Sequence, residues 1–213
     1  MGLFRLEHSK SAYYADFALY GAAVVVLAAC LWVNSPRGQW LEVSSLALLG
    51  LASWTLIEYA MHRFVLHGLP PFRRLHAQHH ERPTALICTP TLLSAALIAT
   101  LVFLPALALG NLLFAGAFTL GVLAGYLAYS VTHHATHHWR ADSAWLKRRK
   151  RWHALHHHHV EQPSCFGVTS AFWDHVFGST GRPRRAAAPT AAHGAVLRVQ
   201  APNADGSADA SFL

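Results

Sequence analysis

Four stretches of the chain, residues 17–33, 43–57, 91–109 and 112–131, contain no Asp, Glu, Lys or Arg and are built mainly of Ala, Leu, Val, Ile and Phe. A helix of roughly 20 residues rising about 1.5 Å each crosses a hydrocarbon layer about 30 Å thick. Backbone inside that layer must satisfy its own N–H and C=O groups, which leaves helices as the simplest solution for such runs. The sequence therefore predicts an all-α integral membrane protein with four transmembrane helices. This explains why only 13% of residues are charged, against about 25% in an ordinary soluble domain. The second run continues in helical pattern through Glu58, Tyr59 and Met61, so its helix is expected to project beyond the lipid, and Trp32 is placed to anchor the first span at an interface. Gly110 and Asn111 alone separate the last two runs, which demands a tight helical hairpin. Gly121 and Gly125 form a GxxxG pair in the fourth span; it either seats a neighbouring helix or is a pair of small residues facing lipid.

Orientation follows from the cations. With both termini cytoplasmic, Arg37 is the one basic residue in the outer loops and the other sixteen Lys and Arg fall on the inner side. The net charge of +7 then records membrane orientation, and no nucleic-acid partner is expected. The basic run 147–151 is placed to meet anionic lipid heads. A cleaved lipoprotein-type signal ending at Cys30 fits less well, because the apolar region is long for a signal core and continues through Leu31, Trp32 and Val33. Three cysteines without a CxxC pair describe no disulfide framework. Residues 1–180 are read as one membrane domain and 181–213, rich in Ala, Pro, Gly and Ser, as a disordered tail.

Ten of the 17 histidines fall into four clusters, all on the inner side and close to a span's end. His62 and His67 are HX4H; His76, His79 and His80 are HX2HH; His133 and His137 are HX3H; His153, His156 and His157 repeat HX2HH. Positions three and four apart share one helix face, so each HX2HH is expected to aim three rings at one point. HX4H spreads its rings by about 140° in an α-helix, so they converge only if the helix ends between them; Gly68, Leu69, Pro70 and Pro71 supply a stop just after His67. One pair of neighbouring histidines is usually a surface feature. Four clusters at ligand spacing beside one membrane face are better explained by metal, and ten imidazoles suit two ions with about five ligands each. Imidazole binds zinc, copper, iron and nickel alike, so ligand type does not name the metal. His134 and His138 share the spacing of His133 and His137, so spacing leaves that register open; His158 and His159 are read as extras. Glu58 and Asp174 are candidates to accept the far N–H of a ligand ring, with salt bridges to Arg63 or Arg149 as the ordinary alternative.

Residues 53–180 resemble the membrane fatty acid hydroxylase and sterol desaturase superfamily, most closely its fatty acid 2-hydroxylase branch. The resemblance is carried by Glu58-Tyr-x-x-His-Arg-Phe followed by His67, the two HX2HH boxes, Gly125-Tyr-x-x-Tyr leading into His133 and His137, and Phe166-Gly-Val-Thr-Ser-x-x-Trp-Asp-x-Val-Phe-Gly178. It implies two iron ions, with zinc as a replacement in purified protein, held by the ten named histidines with His133 and His137 as the register. It implies O2 as co-substrate and a membrane lipid substrate, hydroxylated on a fatty acyl chain at the 2-position. Oxidation of a sterol or carotenoid by the same histidine boxes is the alternative within the superfamily. A metal transporter is a remote reading, since transporters place ionisable ligands inside their spans. About 16 residues precede the first run, where eukaryotic 2-hydroxylases often carry a haem domain, so a separate electron donor is expected, a ferredoxin or cytochrome with its reductase, docking near 147–151. The connection from His67 to His76 is short for a eukaryotic member. That favours a bacterial inner membrane over the endoplasmic reticulum.

Overall fold

The structure, a computed structural model, describes residues 7–158 and 162–181. Apart from Gly181, the expected tail lies outside the described residues, as do His159 and His193. Helix α1 (Lys10–Asn34) starts at Ser9, whose hydroxyl accepts from the Ala12 N–H. Helix α2 (Trp40–Ala60) runs without a break into a wider π-helical turn, Met61–Leu66. Helix α3 (Pro70–Glu81) begins on the two prolines, whose missing N–H groups cost nothing in a first turn. Helices α4 (Thr91–Ile98) and α5 (Leu104–Leu109) are joined through a π turn, Ala99–Phe103, directly upstream of Pro105. That proline lacks an N–H and its ring crowds the carbonyl one turn back, which widens the helix there. Helix α6 (Leu112–His138) is capped by Asn111, whose side chain accepts from the Phe114 N–H, so Gly110 and Asn111 do make the expected tight link. Helices α7 (Ala144–His158) and α8 (Phe172–Val176) complete the chain. Among the described residues the only strand-like pairing is one bridge, Glu7 with Ile87.

Four helical segments are long and apolar enough to cross a membrane: Lys10–Asn34, Arg37–Leu66, Thr91–Leu109 and Leu112–His138, with mean hydropathy from 1.5 to 2.4. Their outer faces leave Val25, Val26, Val33, Leu41, Leu92 and Leu109 exposed. In water such a surface would be a large adhesive patch; against lipid it is the expected exterior of an integral membrane protein.

The inside of the bundle is organised by α2 and α6, which run parallel and touch along glycines. A methyl group on Gly121 would stand 1.9 Å from the Ala47 carbonyl oxygen, one on Gly50 2.1 Å from that of Phe118, and one on Gly125 2.4 Å from the Trp54 ring. Gly121 and Gly125 therefore seat a neighbouring helix. Trp54, Val122 and Tyr126 pack with Tyr20 of α1 above this seam, and Tyr20 donates to or accepts from Ser94 of α4 at 2.7 Å. Tyr13, near the start of α1, meets His134 at the end of α6. The start of α1 and the ends of α2 and α6 thus lie at one end of the bundle, and α3 and α7 cover it.

Candidate metal centre

The π turn at the end of α2 sets the first histidine pair. The His67 N–H donates to the His62 carbonyl at 3.2 Å, an i→i+5 bond. In that winding residue i+5 returns over residue i, so both rings converge while the helix continues between them. The helix does not end between the two histidines, as the spacing suggested; widening does what termination was expected to do, and Gly68 and the prolines stop the helix only afterwards.

The ligand nitrogens gather in two groups. Those of His62, His67, His76, His80 and His156 lie within 4.8 Å of one another, as do those of His79, His133, His137 and His153. The Nε2 of His157 is 3.1 Å from that of His153, and its ring stacks on His80 at 4.3 Å, between the groups. The HX2HH boxes do not aim three rings at one point. His76 and His80 enter the first group while His79 enters the second; His156 enters the first while His153, with His157 beside it, enters the second. At about 100° per residue, i and i+4 differ by roughly 40° whereas i+3 falls roughly 60° to the other side, so one helix serves two centres. Helices α3 and α7 make this split in opposite senses. Helix α2 supplies a pair to one centre and α6 a pair to the other.

Nearest Nε2 atoms in these groups stand 2.8–3.1 Å apart: His62 and His80 from His76, His67 from His156, His133 from His79, His137 from His153. Nitrogens about 2.1 Å from a common ion are separated by roughly 3.0 Å at right angles and roughly 3.4 Å in a tetrahedron. The donor set fits a metal with more than four ligands. Burial holds the cap histidines neutral, as ligands must be. Burial, then the neighbouring His80, brings His67 down to about 4; burial, then His80 and His137, brings His157 to about 3. His76, His79, His153 and His156 are likewise held well below the usual imidazole value, first by burial and then by adjacent rings.

Two rings of the first group are clamped from behind. His62 Nδ1 donates to the Phe166 carbonyl at 2.6 Å, and His156 Nδ1 to the Ser164 carbonyl at 2.7 Å. Each neutral ring then carries its proton on Nδ1 and turns an unprotonated Nε2 inward. Cys165, between the two carbonyls, has φ of 58°, the left-handed turn that brings both toward the histidines. Glu58 and Asp174, expected to accept ring N–H groups, hold this loop instead. Glu58 accepts from the Val168 and Thr169 N–H groups at 2.7 and 2.9 Å and from the Thr169 hydroxyl. Asp174 accepts from the Phe166 and Gly167 N–H groups at 2.8 Å, from Ser179 and from the Trp152 indole. Each carboxylate acts one link further out than its sequence position implied, because backbone carbonyls already occupy the place behind the rings. Neither acid pairs with Arg63 or Arg149; the one ion pair among the described residues is Arg82 with Glu7.

Between the two candidate registers on α6, His133 and His137 face the second group, whereas His134 and His138 stack on each other at 4.5 Å away from it. A cavity of about 310 Å³ reaches His76, His79 and His133 and is walled by apolar groups, Phe17, Leu75 and Leu93 among them.

The sequence signature of the family described as fatty acid hydroxylase matches residues 47–179, a stretch that contains all ten of these histidines, Glu58 and Asp174. The chain belongs to this family. Similar proteins include the ceramide very long chain fatty acid hydroxylase scs7 of Schizosaccharomyces pombe, 36% identical over 147 residues, which are 63% of this chain and 42% of that protein. The dihydroceramide fatty acyl 2-hydroxylase FAH2 of Arabidopsis thaliana is 31% identical over 148 residues, 65% of this chain and 61% of that one. Fatty acid 2-hydroxylase of Rattus norvegicus is 32% identical over 62% of this chain and 38% of its own. The match to this fatty acid hydroxylase family member therefore spans less than two thirds of each of these relatives. A solved structure described as full-length scs7p, with only the hydroxylase domain visible, superposes with a TM-score of 0.70 at 30% identity, over 81% of this chain and 69% of that chain.

Proposed function

We propose that this family member is an O2-dependent di-iron oxygenase that hydroxylates the acyl chain of a membrane lipid, at the 2-position of a fatty acid or acyl lipid. The observation that carries the reading is the apolar cavity meeting three candidate ligands, His76, His79 and His133, at one end of a membrane bundle. The names of the relatives, all acyl hydroxylases, support an acyl substrate over a sterol or carotenoid. One ion would be held by His62, His67, His76, His80 and His156, the other by His79, His133, His137, His153 and His157. Iron bound there would supply the reduction of O2 and the breaking of an unactivated C–H bond, one oxygen atom ending in the lipid and the other in water.

The chain's own part is to bind, orient and exclude. Its neutral rings offer lone pairs, and the Ser164 and Phe166 carbonyls fix two of them. The cavity walls keep bulk water from the reacting carbon and hold the acyl chain along the bundle. The balance also requires two electrons. A separate donor, a ferredoxin or cytochrome with its reductase, fits the exposed Lys147, Arg148 and Arg151 on α7, while Arg149 is turned inward. The cation distribution supports a cytoplasmic histidine cap with both chain ends on that side. Expression in a host lacking 2-hydroxy lipids tests the proposal: 2-hydroxy acyl chains should accumulate with the unsubstituted chain and not with His79→Ala. Unchanged acyl chains beside an altered sterol or carotenoid would refute it.

A further inference from the structure

Asp16 sits in the second turn of α1 with Tyr13 and Tyr20 on the same face, 6% exposed, and it lines the cavity that reaches His76, His79 and His133. Its Oδ1 accepts the Thr91 hydroxyl at 2.6 Å. Its Oδ2 has no hydrogen-bond partner among the described residues, and no cation pairs with it, the single ion pair there being Arg82 with Glu7. A carboxylate held in an apolar wall beside lipid is costly unless something satisfies it. Thr91 supplies one bond of the several a carboxylate can accept. Two of the neighbouring hydroxyls are committed elsewhere, Tyr13 to His134 and Tyr20 to Ser94. What remains is a carboxyl oxygen open to the cavity, on the wall that also holds candidate metal ligands.

We infer that Asp16 is a specificity-determining residue that accepts a hydrogen bond from the head of the acyl substrate, an amide N–H or a hydroxyl close to the acyl carbonyl. The same charge turns away an acyl chain ending in a free carboxylate, because two carboxylates facing each other in an apolar cavity leave both unsatisfied. The inference rests on the reading above only in that the cavity takes an acyl chain.

The test is binding, which does not depend on turnover. The purified, metal-loaded protein in neutral detergent is titrated with an N-acylated long-chain amino alcohol and with the ionised fatty acid of equal acyl length, each displacing a fluorescent acyl probe. The unsubstituted chain should prefer the amide lipid by about tenfold or more, the usual effect of a hydrogen bond to a charged group. Asp16→Asn should abolish most of that preference, and Asp16→Ser gives the same readout if the asparagine variant does not fold. Thr91→Val, which removes the tie to α4 and keeps the carboxylate, should preserve it. Equal affinities in the unsubstituted chain, binding of neither ligand, an unchanged preference in Asp16→Asn, or an equal loss in Thr91→Val would each overturn the assignment. A preference of the expected kind in a protein that forms no 2-hydroxy product would sustain Asp16 and count against the hydroxylase reading instead.

Discussion

Cys165 carries its φ of 58° in the middle of a loop whose flanking carbonyls hold His62 and His156. A left-handed conformation is comfortable for glycine and poor for β-branched residues. Cys165→Gly should therefore keep its metal and its thermal stability, while Cys165→Val should lower metal affinity at the first group by about tenfold or more, the cost of disturbing groups that orient ligands; metal titration after chelation reads both. The histidines themselves predict a pH dependence for the metal-free protein. The folded values of His67, His76, His79, His153, His156 and His157 lie below the unfolded value of about 6.5, so below that pH the unfolded chain takes up protons that the folded chain refuses. Stability should then fall as pH drops from about 6.5, through about 4 for His67 and about 3 for His157. A melting temperature that rises on acidification over this range would be inconsistent with buried neutral rings. Residue type made the histidines legible in the sequence, and the motif around Glu58 and Asp174 placed both acids near the site. What those acids hold was not legible, since Ser164 and Phe166 act through backbone carbonyls that every residue possesses. Asp16 stands one residue before the first uncharged run, and its spacing from Tyr13 and Tyr20 puts all three on one helix face.

At the level of elements, four uncharged apolar runs located all four spans, while the fine winding was not written in them. The i→i+5 turn at His62 reads in sequence as an ordinary helix approaching its end, because Gly68, Pro70 and Pro71 follow directly. The division of each HX2HH box between two groups follows from helix geometry but needs α3 and α7 in place before either direction has a target. The two groups differ in support: His62 and His156 are backed by carbonyls, whereas His79 and His153 have buried Nδ1 atoms without a hydrogen-bond partner among the described residues. Chelator should therefore strip metal in two phases, the ion of the second group leaving first, so that His137→Ala removes the fast phase and His62→Ala the slow one. Stripping in a single phase would contradict this asymmetry. The α2–α6 seam allows a cleaner comparison. Gly121→Ala places a methyl against backbone and should destabilise by about 1–3 kcal/mol, as overpacking does. Gly21→Ala, with nothing within 4 Å of the added methyl, should not destabilise. Detergent-resistant unfolding of the two variants checks the pair.

For the whole molecule, the low charge and the abundance of histidine have separate origins. Four apolar helices remove charge from most of the chain, and ten histidines from four helices converge where two of those spans end and two short helices cover them. Membership of the fatty acid hydroxylase family agrees with the proposal that an acyl chain in the apolar cavity presents a carbon to this centre. The proposed orientation and the proposed electron donor rest on charge distribution alone, which the sequence displays as fully as the fold does. The substrate head is not written in the boxes, because imidazole ligands hold the metal and not the substrate; the cavity wall is where a head group would be distinguished. The claim on which the rest depends is that these ten rings form one centre for two ions. Counting iron per chain in protein purified after expression with iron, alongside His156→Ala and His137→Ala, tests it most directly. The expected result is about two ions in the unsubstituted chain and about one in each variant; a single ion in the unsubstituted chain, or none, would contradict it.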